Sequence, residues 1–341
     1  MKPHALLGLL GILLAAALAL AAPTGPPRAQ VFVLSNSQPN ISVIDAETNR
    51  VTNTANVPSM TSWPWNDDNN YFDGTHLWLG MRNPSTNDVE VGLLNLDTLR
   101  IDHRIPLGQD RVSVYIGKPS RTGRLFVAKH ASGQLAAINI KTRAVERIID
   151  LPVGTSGVAC DVEVTTGVDR RERAYIPTMA GNRVISVDTS TLQILQVVDF
   201  TENTRPFMLT ATPDGRRLWV QEQTGNTNVV MSTMNLQIVD RVPAGRVPIV
   251  GTFSPDGKLH FTGHGNEPFV IANDTDTFRE VWRAPAGQAT SKVGVHPAGT
   301  FVYAIASNEG ALVVFEAATG KVVTRIALGT NPTGLFVRRL N

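Results

Sequence analysis

Four cations recur at one point of this chain's pattern: Arg111 in GQDRVSV, Arg205 in ENTRPFM, Arg246 in GRVPIVG and Lys292 in ATSKVGV, each entering a short β-prone run. Gathered at one rim, such cations repel unless an anion sits among them, and the planar Arg fork suits a carboxylate or phosphate. The competing reading is solvated charge offset by Asp110 and Glu202. His130 and His264 each lie just past another β-prone run, in expected corresponding positions, and Arg82 occupies a comparable loop. Two such histidines are candidate ligands to a metal or haem iron, or proton carriers near neutral pH. They fall short of the three or four ligands that zinc usually takes, and polar loop histidines are the alternative. Trp63 and Trp65, in SMTSWPWNDDNN, would stack a planar ligand, anchor a protein partner, or plug a channel. No CxxCH, CxxC or HExxH occurs, and no nucleophile, base and acid stand together in a motif. Glu222 with His264 is the one pair to nominate for hydrolysis, which needs a base to activate water.

These residues need a scaffold that repeats. From Pro285 to Gly329 the chain shows four β-prone runs, 293–296, 301–306, 311–316 and 321–328, separated by turn residues, as a four-stranded antiparallel meander requires. One meander cannot bury two faces, and copies are present. Gly74, Gly123, Gly215, Gly257 and Gly299 mark the first turn, with a divergent equivalent near Asp169-Arg170. A second anchor, from IDAETNRV at 44–51 to FEAATGKVV at 315–323, marks the last turn seven times. The pitch falls in the roughly 40–50 residue range of propeller blades. The segment VFVLS at 31–35 reads as a second strand whose missing inner partner appears at 332–339 as PTGLFVRR. The expected fold is all-β: a seven-bladed β-propeller of four-stranded antiparallel blades, closed by N-terminal strands pairing with a C-terminal strand. Connections between second and third strands, and between blades, then open on one face, where the cations, histidines and indoles would surround a central channel.

The motifs SVIDAETNRV at 42–51, SVDTSTLQI at 186–194, TPDGRRLWV at 212–220, SPDGKLHFTGH at 254–264 and GTNPTGLFV at 329–337 resemble the repeat of the YVTN or YncE-like bacterial propellers. The resemblance covers nearly all of the chain after the leader and implies the fold, but it says little of activity, since this architecture carries unrelated functions. The expected function is a non-catalytic exported propeller that binds a small anion or a protein partner through the long-loop mouth. The fold is also similar to the d1-haem domain of cytochrome cd1 nitrite reductases. That implies a tetrapyrrole alternative, with His130 and His264 as iron ligands and Arg111, Arg205, Arg246 and Lys292 holding propionates. Similarity to lactonase propellers implies a hydrolytic alternative. No cofactor is otherwise expected.

The 341 residues carry a net charge of +2 and 42% hydrophobic residues, as suits a globular chain without a nucleic-acid-binding charge excess. Residues 1–29 read as a secretory leader with cleavage near Ala21 and a Pro/Gly tether, which leaves 30–341 as one domain. An uncleaved anchor is the alternative, since Ala5 to Ala22 is long enough to span a bilayer. Either way the body lies outside the cytoplasm, periplasmic or secreted, with no membrane contact beyond the leader. Cys160 has no cysteine to pair with and reads as a buried small hydrophobe. A closed ring has little edge to share, so a monomer is expected.

Overall fold

The computed structural model describes residues 28–35, 39–57, 71–83, 85–153, 158–200 and 203–340. They form seven four-stranded antiparallel sheets arranged as a propeller, with the short 3-10 turn Ser307–Glu309 as the helical element among them. Blade one begins with β1 (Arg28–Ser35), β2 (Asn40–Asp45) and β3 (Arg50–Asn56). Blade two runs outward as β4 (Tyr71–Phe72), β5 (His76–Arg82), β6 (Val89–Asn95) and β7 (Arg100–Gly108). Blade three is β8 (Val114–Pro119), β9 (Arg124–Lys129), β10 (Gln134–Asn139) and β11 (Ala144–Asp150). Blade four is β12 (Glu163–Thr166), β13 (Glu172–Thr178), β14 (Arg183–Asp188) and β15 (Ile194–Asp199). Blade five is β16 (Pro206–Ala211), β17 (Arg217–Glu222), β18 (Thr227–Ser232) and β19 (Ile238–Pro243). Blade six is β20 (Pro248–Phe253), β21 (Leu259–His264), β22 (Phe269–Asp274) and β23 (Glu280–Pro285). Blade seven is β24 (Thr290–Val295), β25 (Phe301–Ala306), β26 (Ala311–Glu316) and β27 (Val322–Ala327). The last strand, β28 (Pro332–Leu340), pairs antiparallel with β1 and supplies blade one's innermost strand.

Strand burial follows from this stacking. The second and third strands are covered on both faces by neighbouring blades, so RLFVAK and QLAAIN are nearly continuous small and apolar runs. The outermost strands meet solvent, and β15 and β19 are mostly exposed.

The turns explain why the repeat shows in the sequence. In blades one, four and six an aspartate (Asp45, Asp188, Asp274) closes the last turn by accepting backbone N–H groups two or three residues on. The same turn ends in a left-handed residue in every blade: Asn49, Leu99, Arg143, Leu192, Leu236, Phe278 and Gly320. The first turn uses a left-handed glycine in most blades. In blade four Arg170 adopts that conformation at φ 61°, where Asp169-Arg170 was the expected equivalent. Each outer strand pair also carries a register shift, as at Val43/Ile44 and Val314/Phe315, which adds twist at the rim.

β1 starts at Arg28, and Ala29 is wholly buried, so the folded body begins ahead of residue 30. The described part of blade two's inner strand is Tyr71–Phe72, whereas Trp63 and Trp65, expected on it, lie outside the described residues.

Ring closure rests on eight paired positions, from Arg28↔Leu340 to Ser35↔Pro332. A chain ending at Thr330 would leave β1 as an unpaired apolar edge carrying Val31, Phe32, Val33 and Leu34. That variant is expected to lose its cooperative thermal transition and to aggregate in size-exclusion chromatography. Retention of the wild-type melting curve would show that the ring holds without this strand.

Candidate functional site

On the long-loop face, a cavity of about 540 Å³ opens above the inner strands of blades three and five. Its walls are the Tyr115 and Phe207 rings, with Met179 and Val112 beside them, and its polar groups are Arg82, Asn87, Arg111 and His130.

Asp110 builds this corner. Its buried carboxylate accepts the backbone N–H groups of Val112 (2.9 Å), Ala131 (3.2 Å) and Ser132 (2.9 Å), tying the connection into β8 to the loop after β9. Asp110 is therefore committed to backbone and is not the partner expected for Arg111. Arg82 braces the same connection, donating to the carbonyls of Asp110 (3.1 Å), Val112 and Asn87 (3.0 Å). Arg111 is exposed on the rim and has neither ion pair nor hydrogen bond among the described residues.

His130 lies against Tyr115, ring centroids 5.5 Å apart, and its Nδ1 donates to the Ala159 carbonyl at 3.1 Å. That bond selects the tautomer and leaves Nε2, without a partner among the described residues, as the nitrogen able to accept a proton. Burial lowers the His130 pKa below the ordinary 6.5, partly opposed by the Ala159 carbonyl and the Asp110 charge. Arg205, in the left-handed conformation just ahead of β16, reaches the Met179 sulfur at 3.2 Å and borders the cavity through it. It has no carboxylate partner among the described residues.

The strand register separates the remaining candidates. His264 pairs with Pro248 as Lys129 pairs with Val114 and Glu222 with Pro206, so His264 stands where Lys129 stands. His130 is one residue further on, level with Gln223 and Gly265. The expected correspondence of the two histidines is off by one, and one residue turns a side chain to the other side. His264 is wholly buried and both its nitrogens are used, Nδ1 donating to the Phe269 carbonyl (2.9 Å) and Nε2 accepting from Gly245 N–H (3.1 Å). Burial drives its pKa down to about 4. Glu222 is equally committed, to Arg241 at 2.6 Å and to Thr204 and Thr227, so the Glu222 and His264 pair has no free base to offer.

The expected ring of cations also divides. Ser113, Arg205, Val247 and Ala289 share one level, each carbonyl accepting the first N–H past a second strand. Arg111 and Arg246 precede that level by two residues and one, and Lys292 follows it by three. Arg246 is exposed and away from the cavity, and Lys292, at 0% exposure on β24, is an interior residue. The cavity thus gathers Arg82, Arg111 and His130, with Arg205 at its edge. Tyr115, Phe207, Val112 and Asn87 had not been singled out. An aromatic at the inner-strand position of Tyr115 and Phe207, where other blades carry Ile249 or Ser291, was the available signal. Cys160 is wholly buried, with a thiol pushed up to about 12 by desolvation.

No family model matches the chain, and no curated protein matches it. Solved structures do match over most of its length. The periplasmic gluconolactonase of Pseudomonas aeruginosa is similar at TM-score 0.71 and 17% identity, over 91% of this chain and 99% of that one. A proposed 6-phosphogluconolactonase from Bacteroides fragilis gives 0.73 and 13%, over 91% and 98%. A dihydro-heme d1 dehydrogenase gives 0.60 and 12%, over 90% and 74%. The chain is thus a propeller of the kind seen in lactonases and d1-haem proteins, and at these identities the likeness is one of fold.

His264 supplies a test of this description through pH. A folded-state pKa of about 4 against 6.5 unfolded means the unfolded chain binds the extra proton between those values, so stability falls as pH drops through that window. Glu163, raised to about 7, gives the opposite slope over part of the same range, so a difference between two proteins is the clean reading. The stability advantage of wild type over His264→Gln should shrink by about 1.4 kcal/mol per pH unit below 6.5 in urea titrations. A constant advantage from pH 7 to pH 4 would contradict a neutral, doubly bonded His264.

Proposed function

We propose that the protein binds a small organic anion, a carboxylate or phosphate joined to an apolar or planar portion, in the cavity between blades two and five. The observation that carries this reading is the combination of Arg111 and Arg205, neither with a carboxylate partner among the described residues, at the edge of a pocket walled by Tyr115, Phe207 and Met179. Apolar walls lower the local dielectric and strengthen the attraction of each guanidinium for an anion, while the rings bury the rest of the ligand. Arg82 and Asp110 act at one remove, holding the Arg111 connection in place. The reading agrees with the YVTN or YncE-like repeat and with an exported location, both of which belong to the proposal.

A thermal-shift screen of aldonates, sugar phosphates and aromatic carboxylates tests it. Each of Arg111→Ala and Arg205→Ala should weaken the best hit by about 1.5–3 kcal/mol, on the order of 10- to 100-fold in Kd. Stabilisation by no anion, or a screen in which no hit is weakened by either substitution, would overturn the proposal.

A second reading is lactone hydrolysis, favoured by the two lactonase-named neighbours together with His130 Nε2 at the cavity. His130 would accept a proton from the attacking water while Arg111 or Arg205 stabilises the oxyanion formed at the lactone carbonyl, and would return that proton to the ring oxygen as the ring C–O bond breaks. Because burial lowers the His130 pKa, the basic form prevails at neutral pH, and kcat/KM should fall only as pH drops below 6.5. His130→Ala should remove that acid limb together with most of the rate in a pH-stat assay on gluconolactone. Absence of turnover in the wild-type protein would eliminate this reading.

A tetrapyrrole held between His130 and His264 does not fit these residues. His264 has no nitrogen left for iron and stands behind Gly245. Lys292, expected to hold a propionate, is buried on β24.

A further inference from the structure

The opposite end of the inner strands holds a second cavity, of about 420 Å³, on the short-turn face across blades three to six. Among its lining residues the charged ones are Lys118 of β8 and Glu163 of β12. Their strands run close enough that a Cβ on Gly117 would lie 2.7 Å from the Val162 carbonyl oxygen, which seats Lys118 beside Glu163. Lys118 Nζ donates to Glu163 Oε1 at 2.6 Å, with the lysine side chain 41% exposed and the glutamate wholly buried. Glu163 Oε2 is buried and makes no close hydrogen bond among the described residues, the Ala211 backbone N–H lying near enough only to favour the charged carboxylate. The hydroxyls of Thr165 and Thr252 also line the cavity and make no hydrogen bond among the described residues, whereas Thr210 is committed to the Gly251 carbonyl.

We propose that this cavity is a second binding site, separate from the long-loop mouth, for a small hydroxy-carboxylate whose carboxylate replaces Glu163 as the partner of Lys118 while Glu163 takes up a proton.

The exchange is balanced. At rest Lys118 and Glu163 form a neutral pair. A ligand carboxylate arriving at the exposed side of Lys118 would face the Glu163 carboxylate across the same ammonium, and two carboxylates sharing one cation favour protonation of the more buried one. Above about pH 7, where Glu163 is ionised, one proton enters from solvent per anion bound, and the net charge of the pocket is unchanged. Glu163 is suited to this because desolvation, opposed by Lys118, has already raised its pKa to about 7. The other charge acting on it is Asp161, whose carboxylate is held by the Val162 and Leu209 N–H groups and also favours protonation of Glu163. From the other packed strands, β16 and β20 present Thr210, Ala211, Thr252 and Phe253, and Tyr175 of β13 commits its hydroxyl to the Thr233 carbonyl. The Thr165 and Thr252 hydroxyls would take the ligand's own hydroxyls.

Gluconate is the probe, titrated calorimetrically between pH 6 and pH 8 in buffers of differing ionisation enthalpy. The Arg111→Ala/Arg205→Ala double variant serves as background, so that the long-loop mouth is silent. Affinity should rise on the order of tenfold from pH 8 to pH 6, with uptake approaching one proton at the alkaline end. Lys118→Met should abolish this binding, and Glu163→Gln should keep it without the pH dependence. In carbon-13 spectra of the wild-type protein, gluconate should also raise the midpoint of the Glu163 carboxyl titration, which needs no substitution at the site. Failure of gluconate to bind the background variant, binding that Lys118→Met leaves intact, or binding without proton uptake would each overturn the proposal. None of these outcomes bears on the long-loop cavity, where the arginine substitutions alone are read.

Discussion

Every blade of this protein is a sheet with two apolar faces, and the requirement that both be covered governs the rest of the structure. The second and third strands are buried along almost their whole length, as in RLWVQE and TNVVMS of blade five, and they tolerate this only because another blade lies on each side. A row of such sheets has two naked ends, so the row must close. Closure is achieved by β28 adding to β1, which joins the two chain termini in one sheet and satisfies backbone groups that would otherwise form an edge.

Closure also creates the sites. Radial stacking crowds the inner strands of separate blades around one axis, so that residues far apart in the chain share a pocket at each end. At the long-loop end the connections are long and irregular, and they deliver Arg82, Arg111, His130 and Arg205 around an aromatic and thioether wall. At the short-turn end the pocket is lined mainly by the strands and their tight turns, leaving threonines and prolines with one lysine and one glutamate. The two ends therefore offer different chemistry: guanidinium groups with rings at one, and a lysine–glutamate ion pair with hydroxyls at the other.

Burial accounts for further polar residues. His260 has its pKa driven to about 3 by desolvation and lies on the Trp219 ring, centroids 4.4 Å apart. His264 and Glu222 fill corresponding places in blades six and five and satisfy backbone and neighbouring side chains there. A polar residue at the end of a second strand is held by its own blade's loop, whereas the next residue, as His130 shows, looks into the mouth.

The blade count, the strand order within a blade and the join between the two termini were legible in the amino-acid sequence alone. The features that mark them are local. An aspartate oxygen that closes a turn bonds to N–H groups two or three residues away, the left-handed position of the first turn holds glycine in most blades, and a doubly covered strand is apolar along most of its length. What meets at each mouth was decided by tertiary structure. Connections of unequal length shift the register by one residue, enough to send His264 inward and His130 outward. Neighbouring inner strands bring Lys118 to Glu163 across 45 residues of sequence that carry no mark of the meeting. Local chemistry writes the repeat into the chain, but a site assembled from several blades depends on the register of each, which is set only when the sheets pack.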